Sequence, residues 1–188
     1  MDGLNTEISK AAVDALVKNK NLTDGEFKAL LQTGEFDGYL FECADKVRRE
    51  HYGDEVYIRG LIEISNYCKN NCYYCGIRAG NGNAERYRLT KDDILSCAKE
   101  GYRLGFRTFV LQGGEDMFFT DEDICDIVSG IKKEYPDCAV TLSLGEKSFD
   151  SYKKYYDAGA DRYLLRHETA NNEHYSKLHP ESMSLENR

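Results

Sequence analysis

Only two prolines interrupt the 188 residues, and hydrophobic side chains make up 41% of them, which argues against disorder and for a folded globular chain. No apolar run approaches the roughly 18 residues that a bilayer span needs, so no membrane partner is expected. The N-terminal Met1-Asp2-Gly3-Leu4 lacks the basic-then-apolar order of a signal peptide, and a cytoplasmic location is the expectation. Basic residues are in deficit: 25 Lys plus Arg stand against 33 Asp plus Glu, for a formal charge of −8. A protein held to nucleic acid by phosphate neutralisation needs the opposite balance, so nucleic acid is not an expected partner. Internal repeats, low-complexity stretches and linkers are absent as well. Cysteine is the exception to this thin inventory. There are seven, an odd count, and Cys68, Cys72 and Cys75 fall within eight residues. A secreted disulfide framework explains that spacing poorly, and a metal site explains it better.

The first 55 residues read as helices. Thr6 is placed to cap a run with Ile8, Ala12, Ala15 and Leu16 on one face, and Thr23-Asp24-Gly25-Glu26 matches a capping box before Phe27, Leu30 and Leu31. A third run carries Leu40, Cys43, Ala44 and Val47. No chemistry is visible in this segment, and packing is its expected role. From Val56 the texture changes to short apolar runs alternating with helical patterns. Strands are expected at Val56–Ile64, Thr108–Gln112, Cys138–Leu144 and Tyr163–Arg166, with helices opening near Thr90, Thr120 and Ser148. Such alternation implies right-handed parallel βαβ units and an α/β fold. The expected organisation is an N-terminal helical segment, residues 1–55, followed by the first four βα units of a TIM-type barrel, residues 56–188. A full barrel of eight units takes about 250 residues, so the barrel reads as truncated. The conspicuous polar residues all follow strand ends, which places them on the face where active sites of parallel α/β folds are built.

Three thiols at spacings of four and three, on the loop after the first strand, are soft ligands suited to an iron–sulfur cluster. A 4Fe-4S cluster held by three cysteines keeps one iron open. A structural zinc site with a distant fourth ligand is the rival reading, and unligated cysteines are a third. Cys97 and Cys125 fall in helical patterns and Cys138 opens a strand at the end away from the loop. These three and Cys43 are poorly placed as a fourth ligand and read as small core residues. The third strand alternates Val140, Leu142 and Leu144 with Thr141, Ser143 and Gly145. In a barrel the hydroxyl set would look into a lumen that bulky branched residues ordinarily fill, which points to a polar cavity. Hydroxyls satisfied by backbone are the alternative.

Cys68-x3-Cys72-x2-Cys75, with the aromatic Tyr74 before the last cysteine, resembles the signature of the radical S-adenosylmethionine (SAM) superfamily. The surrounding sequence extends the likeness: Ile64-Ser65-Asn66-Tyr67-Cys68 through Cys75-Gly76-Ile77-Arg78, then Arg86-Tyr87-Arg88-Leu89-Thr90, Gln112-Gly113-Gly114-Glu115-Asp116, Thr141-Leu142-Ser143-Leu144-Gly145-Glu146 and Arg166-His167-Glu168-Thr169-Ala170. Together these are similar to the HydE family of FeFe-hydrogenase maturases. Biotin synthases and methylornithine synthases share the cysteine motif but match the later segments less well.

The resemblance implies a 4Fe-4S cluster on Cys68, Cys72 and Cys75 whose open iron chelates SAM, with one electron from an external donor cleaving SAM to methionine and a 5′-deoxyadenosyl radical. It places Tyr74 near adenine, Gly113, Gly114 and Glu115 at the SAM ammonium, Glu168 against SAM, and Arg188 at its carboxylate. Gln112, Thr141 and Ser143 would anchor a small organometallic or cysteine-derived substrate, delivered by a partner maturase during assembly of the diiron H-cluster. Bland readings stand beside these: a tight turn for Gly113-Gly114 and a loop aromatic packed on the rim for Tyr74. His167 is expected to be a hydrogen-bonded structural histidine, and Glu146 has no assigned role.

Overall fold

A computed structural model describes residues 10–186. The expected cap at Thr6 and the contact at Arg188 therefore lie outside the described residues. The chain forms two compact units that meet between Tyr57 and Ile58.

The first unit is helical, with α1 at Lys10–Asn19, α2 at Asp24–Thr33 and α3 at Asp37–Tyr52. Val13, Leu22 and Leu30 form its buried centre, with Leu16, Leu40 and Cys43 packed around them. The capping box expected from the sequence opens α2: the Thr23 hydroxyl accepts from the Glu26 N–H, and the Glu26 carboxylate accepts from the Thr23 N–H.

The second unit is four strands, each followed by a helix. They are β1 (Gly60–Ser65) and α4 (Lys91–Arg103), β2 (Thr108–Gly113) and α5 (Asp121–Glu134), β3 (Ala139–Ser143) and α6 (Phe149–Asp157), and β4 (Arg162–Tyr163) and α7 (Asn172–Leu178). The strands pair in parallel in the order β1-β2-β3-β4. This is the succession of four βα units of a TIM-type barrel. Alternation along the strands sends Ile62, Ile64, Phe109, Leu111, Val140 and Leu142 to the helix side, where they meet Ile94, Ala98, Ile124, Ile127, Val128, Ile131 and Tyr155. Thr90 and Thr120 each cap their helix with an aspartate three residues on, Asp93 and Asp123.

Several expectations need correction. β1 starts at Gly60 rather than Val56; Val56, Tyr57 and Ile58 are apolar but exposed, because no neighbouring strand pairs with them. β4 is two residues long, since only Arg162 and Tyr163 pair with β3 before the chain turns away. Cys97 is exposed, not a core residue, whereas Cys138 is buried and Cys125 packs against the core. His167 is exposed, and among the described residues only its backbone carbonyl is hydrogen-bonded, to the Thr169 N–H. The helix α7 follows β4 with no advance signal beyond Asn171, whose side chain accepts from the His174 N–H.

Candidate active site

All four strands end at one face, and a cavity of about 200 Å³ opens there. Its walls come from every βα loop. The loop after β1 supplies Cys68, Cys72, Tyr74 and Cys75; the end of β2 supplies Gln112, Gly113, Gly114 and Glu115; Ser143 and Gly145 follow β3; Leu164, Leu165, Arg166 and Glu168 follow β4. Ten of the twelve residues singled out from the sequence thus line one space. Thr141 does not line it. That residue sits one layer deeper, opposite Val110, 4% exposed, and its Oγ1 has no hydrogen-bond partner among the described residues. Arg188 lies outside the described residues.

The cysteine loop has no regular secondary structure, so its shape depends on side chains and turns. Arg86 is the principal clamp: its guanidinium donates to the backbone carbonyls of Asn66, Ile77, Arg78 and Asn81, gathering both ends of the loop on one cation. Asn66 ties the base of the loop by donating to the Glu85 carbonyl and accepting from the Tyr87 N–H. Sequence reasoning missed these roles. The only available signal was an arginine and an asparagine flanking a long polar loop whose carbonyls have no strand or helix to satisfy them.

Behind the cavity, Gly113-Gly114 lets the end of β2 pass close to the loop. A side chain at position 114 would begin 2.2 Å from the Tyr67 carbonyl oxygen and 2.7 Å from Cys68 Cβ, so only glycine fits. The bland reading of this pair as a permissive turn is therefore insufficient, because the close approach is what brings the Glu115 N–H to 3.4 Å from Cys68 Sγ. The Glu115 side chain is folded inward, 8% exposed. Its carboxylate accepts from the Glu146 N–H at 3.2 Å and lies 3.2 Å from Lys69 Nζ. Gly145, at φ 78°, makes room, since a Cβ there would fall 1.9 Å from Glu115 Cγ. Glu146 thereby acquires a role through its backbone.

Asp116 lies next to this turn and was also missed. Burial by itself would push its carboxyl up, but Arg88, the Ser65 hydroxyl and the Phe118 N–H outweigh burial and hold it below the usual carboxylate range. Arg88 grips both oxygens, at 2.6 and 2.9 Å, and stacks on the Tyr67 ring at 3.8 Å. The start of the cysteine loop is thus locked to the end of β2. After β4, Glu168 adopts φ 65°, a left-handed conformation unusual outside glycine, and the strain falls on a cavity-lining residue.

The donor set fits a cluster. Cys68, Cys72 and Cys75 form no disulfide, are partly buried and line one cavity, and Glu115 offers Cys68 an N–H donor. Among the described residues no group of three His, Cys, Asp or Glu side chains is gathered tightly enough for a single metal ion. Each thiolate of a polynuclear cluster binds its own iron, so its ligands stand apart. The buried Glu115 carboxylate, the glycine backbone and Ser143 give the same cavity polar groups for a ligand with an ammonium and hydroxyls.

Comparison with known proteins agrees with this architecture. The model of the radical SAM superfamily matches residues 62–186. The HydE subunit of the [FeFe] hydrogenase maturase from Thermotoga maritima is 51% identical over 153 residues, 81% of this chain and 43% of that protein. A 3-methylornithine synthase from Methanosarcina barkeri is 30% identical over 169 residues, 88% of this chain and 48% of the relative. The chain therefore spans about half the length of the curated relatives it matches. The crystal structure of methylornithine synthase superposes with a TM-score of 0.78 at 29% identity, over 94% of this chain and 52% of that one. The crystal structure of HydG, another maturase of the [FeFe]-hydrogenase, gives 0.80 at 26% identity, over 91% and 39%. Sequence motif, strand order and the placement of the cysteine loop lead to one conclusion: the chain belongs to the radical SAM superfamily.

Proposed function

We propose that this chain is the cluster- and SAM-binding part of a HydE-type enzyme that cleaves SAM reductively for assembly of the diiron centre of FeFe-hydrogenase. The observation that carries the proposal is the convergence of Cys68, Cys72, Cys75, Tyr74 and the Gly113-Gly114-Glu115 turn on one cavity at the strand ends. In this reading the three cysteines would hold a 4Fe-4S cluster and leave one iron for SAM. When bound, the pair supplies an electron from an external donor and a 5′-deoxyadenosyl radical, chemistry that belongs to the cofactors rather than to the chain.

The protein's contribution is placement. Glu115 offers a buried carboxylate to the SAM ammonium, Tyr74 a ring to adenine, and Glu168 a further polar contact, with Arg188 at the carboxylate. Gln112 and Ser143, neighbours across β2 and β3, together with the deeper Thr141, would anchor a small organometallic or cysteine-derived substrate. The unpartnered Thr141 hydroxyl supports a polar group in that direction, because a buried hydroxyl without a partner is costly. Partners would be the other hydrogenase maturation proteins and an electron donor, in the cytoplasm. Among the described residues no helix is long and apolar enough to cross a membrane.

Anaerobic reconstitution tests the reading. The wild-type chain should take up iron and sulfide with cluster absorbance, and Cys72→Ala should abolish it. An unaltered cluster spectrum in the variant, or stoichiometric zinc in anaerobically purified protein, would refute the assignment. SAM cleavage under reductant in a version extended through eight βα units separates an enzyme from a metal-binding module.

A further inference from the structure

The segment that follows β4 folds over the cysteine loop and touches it at three points. The Tyr73 N–H donates to the Leu178 carbonyl at 2.9 Å. The Tyr74 hydroxyl lies 3.4 Å from His179 Nε2, with the two rings edge-on and their centroids 5.5 Å apart. Cys72 Sγ is 3.9 Å from Met183 Sδ. These contacts fall on consecutive residues, 72 to 74, from one proposed cluster ligand, Cys72, to the residue before another, Cys75.

His179 is the centre of this clasp. It is 3% exposed although it carries a polar ring, and it stacks on Tyr175, itself 1% exposed, at 3.9 Å between centroids. Its Nδ1 is 2.9 Å from the Tyr175 carbonyl oxygen. A carbonyl only accepts, so Nδ1 carries the hydrogen, and in the neutral ring Nε2 is left as an acceptor aimed at the Tyr74 hydroxyl. Tyr175 and the end of α7 fix the imidazole on one side, and the imidazole in turn limits where Tyr74 can stand. Tyr74 is half-exposed on an irregular loop, where side chains are more mobile than in regular elements.

We infer that His179 is a positioning residue for the cluster loop: acting through the Tyr74 hydroxyl, it holds the Cys72–Cys75 segment in shape before any cofactor binds. The inference rests on the reading of these cysteines as cluster ligands, but the restraint it describes belongs to the chain alone. Preordering matters because a loop that must find its shape during metal binding gives up part of the binding energy to do so. It also couples the fourth βα unit to the first, so the metal loop depends on chain folded about a hundred residues later.

The test uses the reduced, metal-free 188-residue chain under anaerobic conditions, labelled briefly with iodoacetamide and read cysteine by cysteine by mass spectrometry. His179→Leu and Tyr74→Phe should each speed labelling of Cys72 and Cys75 by about three- to tenfold, the scale of one lost side-chain hydrogen bond. The double variant should be no faster than either single one, and His179→Gln, which keeps an acceptor, should fall back toward wild type. Buried Cys138 reports unfolding: should it also speed up in His179→Leu, the Gln and Phe variants decide. Unchanged Cys72 and Cys75 rates in Tyr74→Phe, or effects that add in the double variant, overturn the inference. Iron and sulfide content after reconstitution of the wild type is measured separately. A wild type that takes up no cluster, yet shows labelling dependent on His179, would sink the proposed function and leave the positioning role intact.

Discussion

Asp116 shows how much of the site is held by side chains that do no chemistry. Its carboxylate is 6% exposed and accepts from Arg88, Ser65 and the Phe118 N–H, so one residue joins the end of β1, the segment leading out of the cysteine loop and the turn after β2. Replacing it with asparagine keeps the shape but loses the charge, and leaves Arg88 facing a neutral amide. Asp116→Asn should therefore destabilise the chain by about 1–3 kcal/mol, the worth of hydrogen bonds to a charged group, read as a lower urea midpoint at pH 7. The pH dependence has a definite sign. Because folding lowers the Asp116 pKa, the ionised carboxylate stabilises the fold at and above the ordinary value of about 3.9. That contribution is lost as pH falls through the depressed folded value. The wild type should thus lose more stability than the variant on titration below about pH 4; equal losses would show that Asp116 is not the group responsible.

At the level of elements, the helices of the second unit owe their start points to caps and their attachment to one another to a few polar ties. Thr120 and Asp123 form a reciprocal capping box on α5, and Asp121 in the first turn accepts from the Tyr155 and Ser151 hydroxyls of α6. The Asp121 carboxyl is held low, chiefly by Tyr155. Thr120→Ala removes the cap but leaves the buried face of Ile124, Ile127, Val128 and Ile131 in place. It should cost roughly 1 kcal/mol without changing the cysteine cavity; a loss of the native circular dichroism spectrum would instead make the cap a condition for folding. The capping box at Thr23 and the helix starts near Thr90 and Thr120 were legible in the sequence because they depend on residues a few positions apart; the reciprocal cap at Thr120 itself is seen only in the structure. The length of β4 was not, since Leu164-Leu165 is apolar enough for a strand and only the availability of a pairing neighbour stops the sheet at Tyr163.

The whole second unit is an open parallel sheet whose outer strands, β1 and β4, each have one neighbour, whereas a closed barrel takes about eight strands. Leu61, Leu164 and Leu165 are 54%, 39% and 36% exposed, so apolar side chains accompany unpaired backbone. The 188-residue chain should self-associate in light scattering or sedimentation and show little SAM cleavage. A version extended through the remaining strands should be less prone to associate; a 188-residue monomer that cleaves SAM at the extended version's rate would contradict this. What the sequence by itself determined was local or periodic: the α/β alternation, the capping boxes, the cysteine spacing, and the convergence of strand ends that follows from parallel order. The tertiary structure alone decided which residues hold the site together. Arg86, Arg88, Asp116 and His179 reach partners as far as 20, 28, 51 and 105 positions away in the chain, and no periodicity encodes such pairings. They arise because an irregular loop must find donors for its backbone wherever the fold brings them.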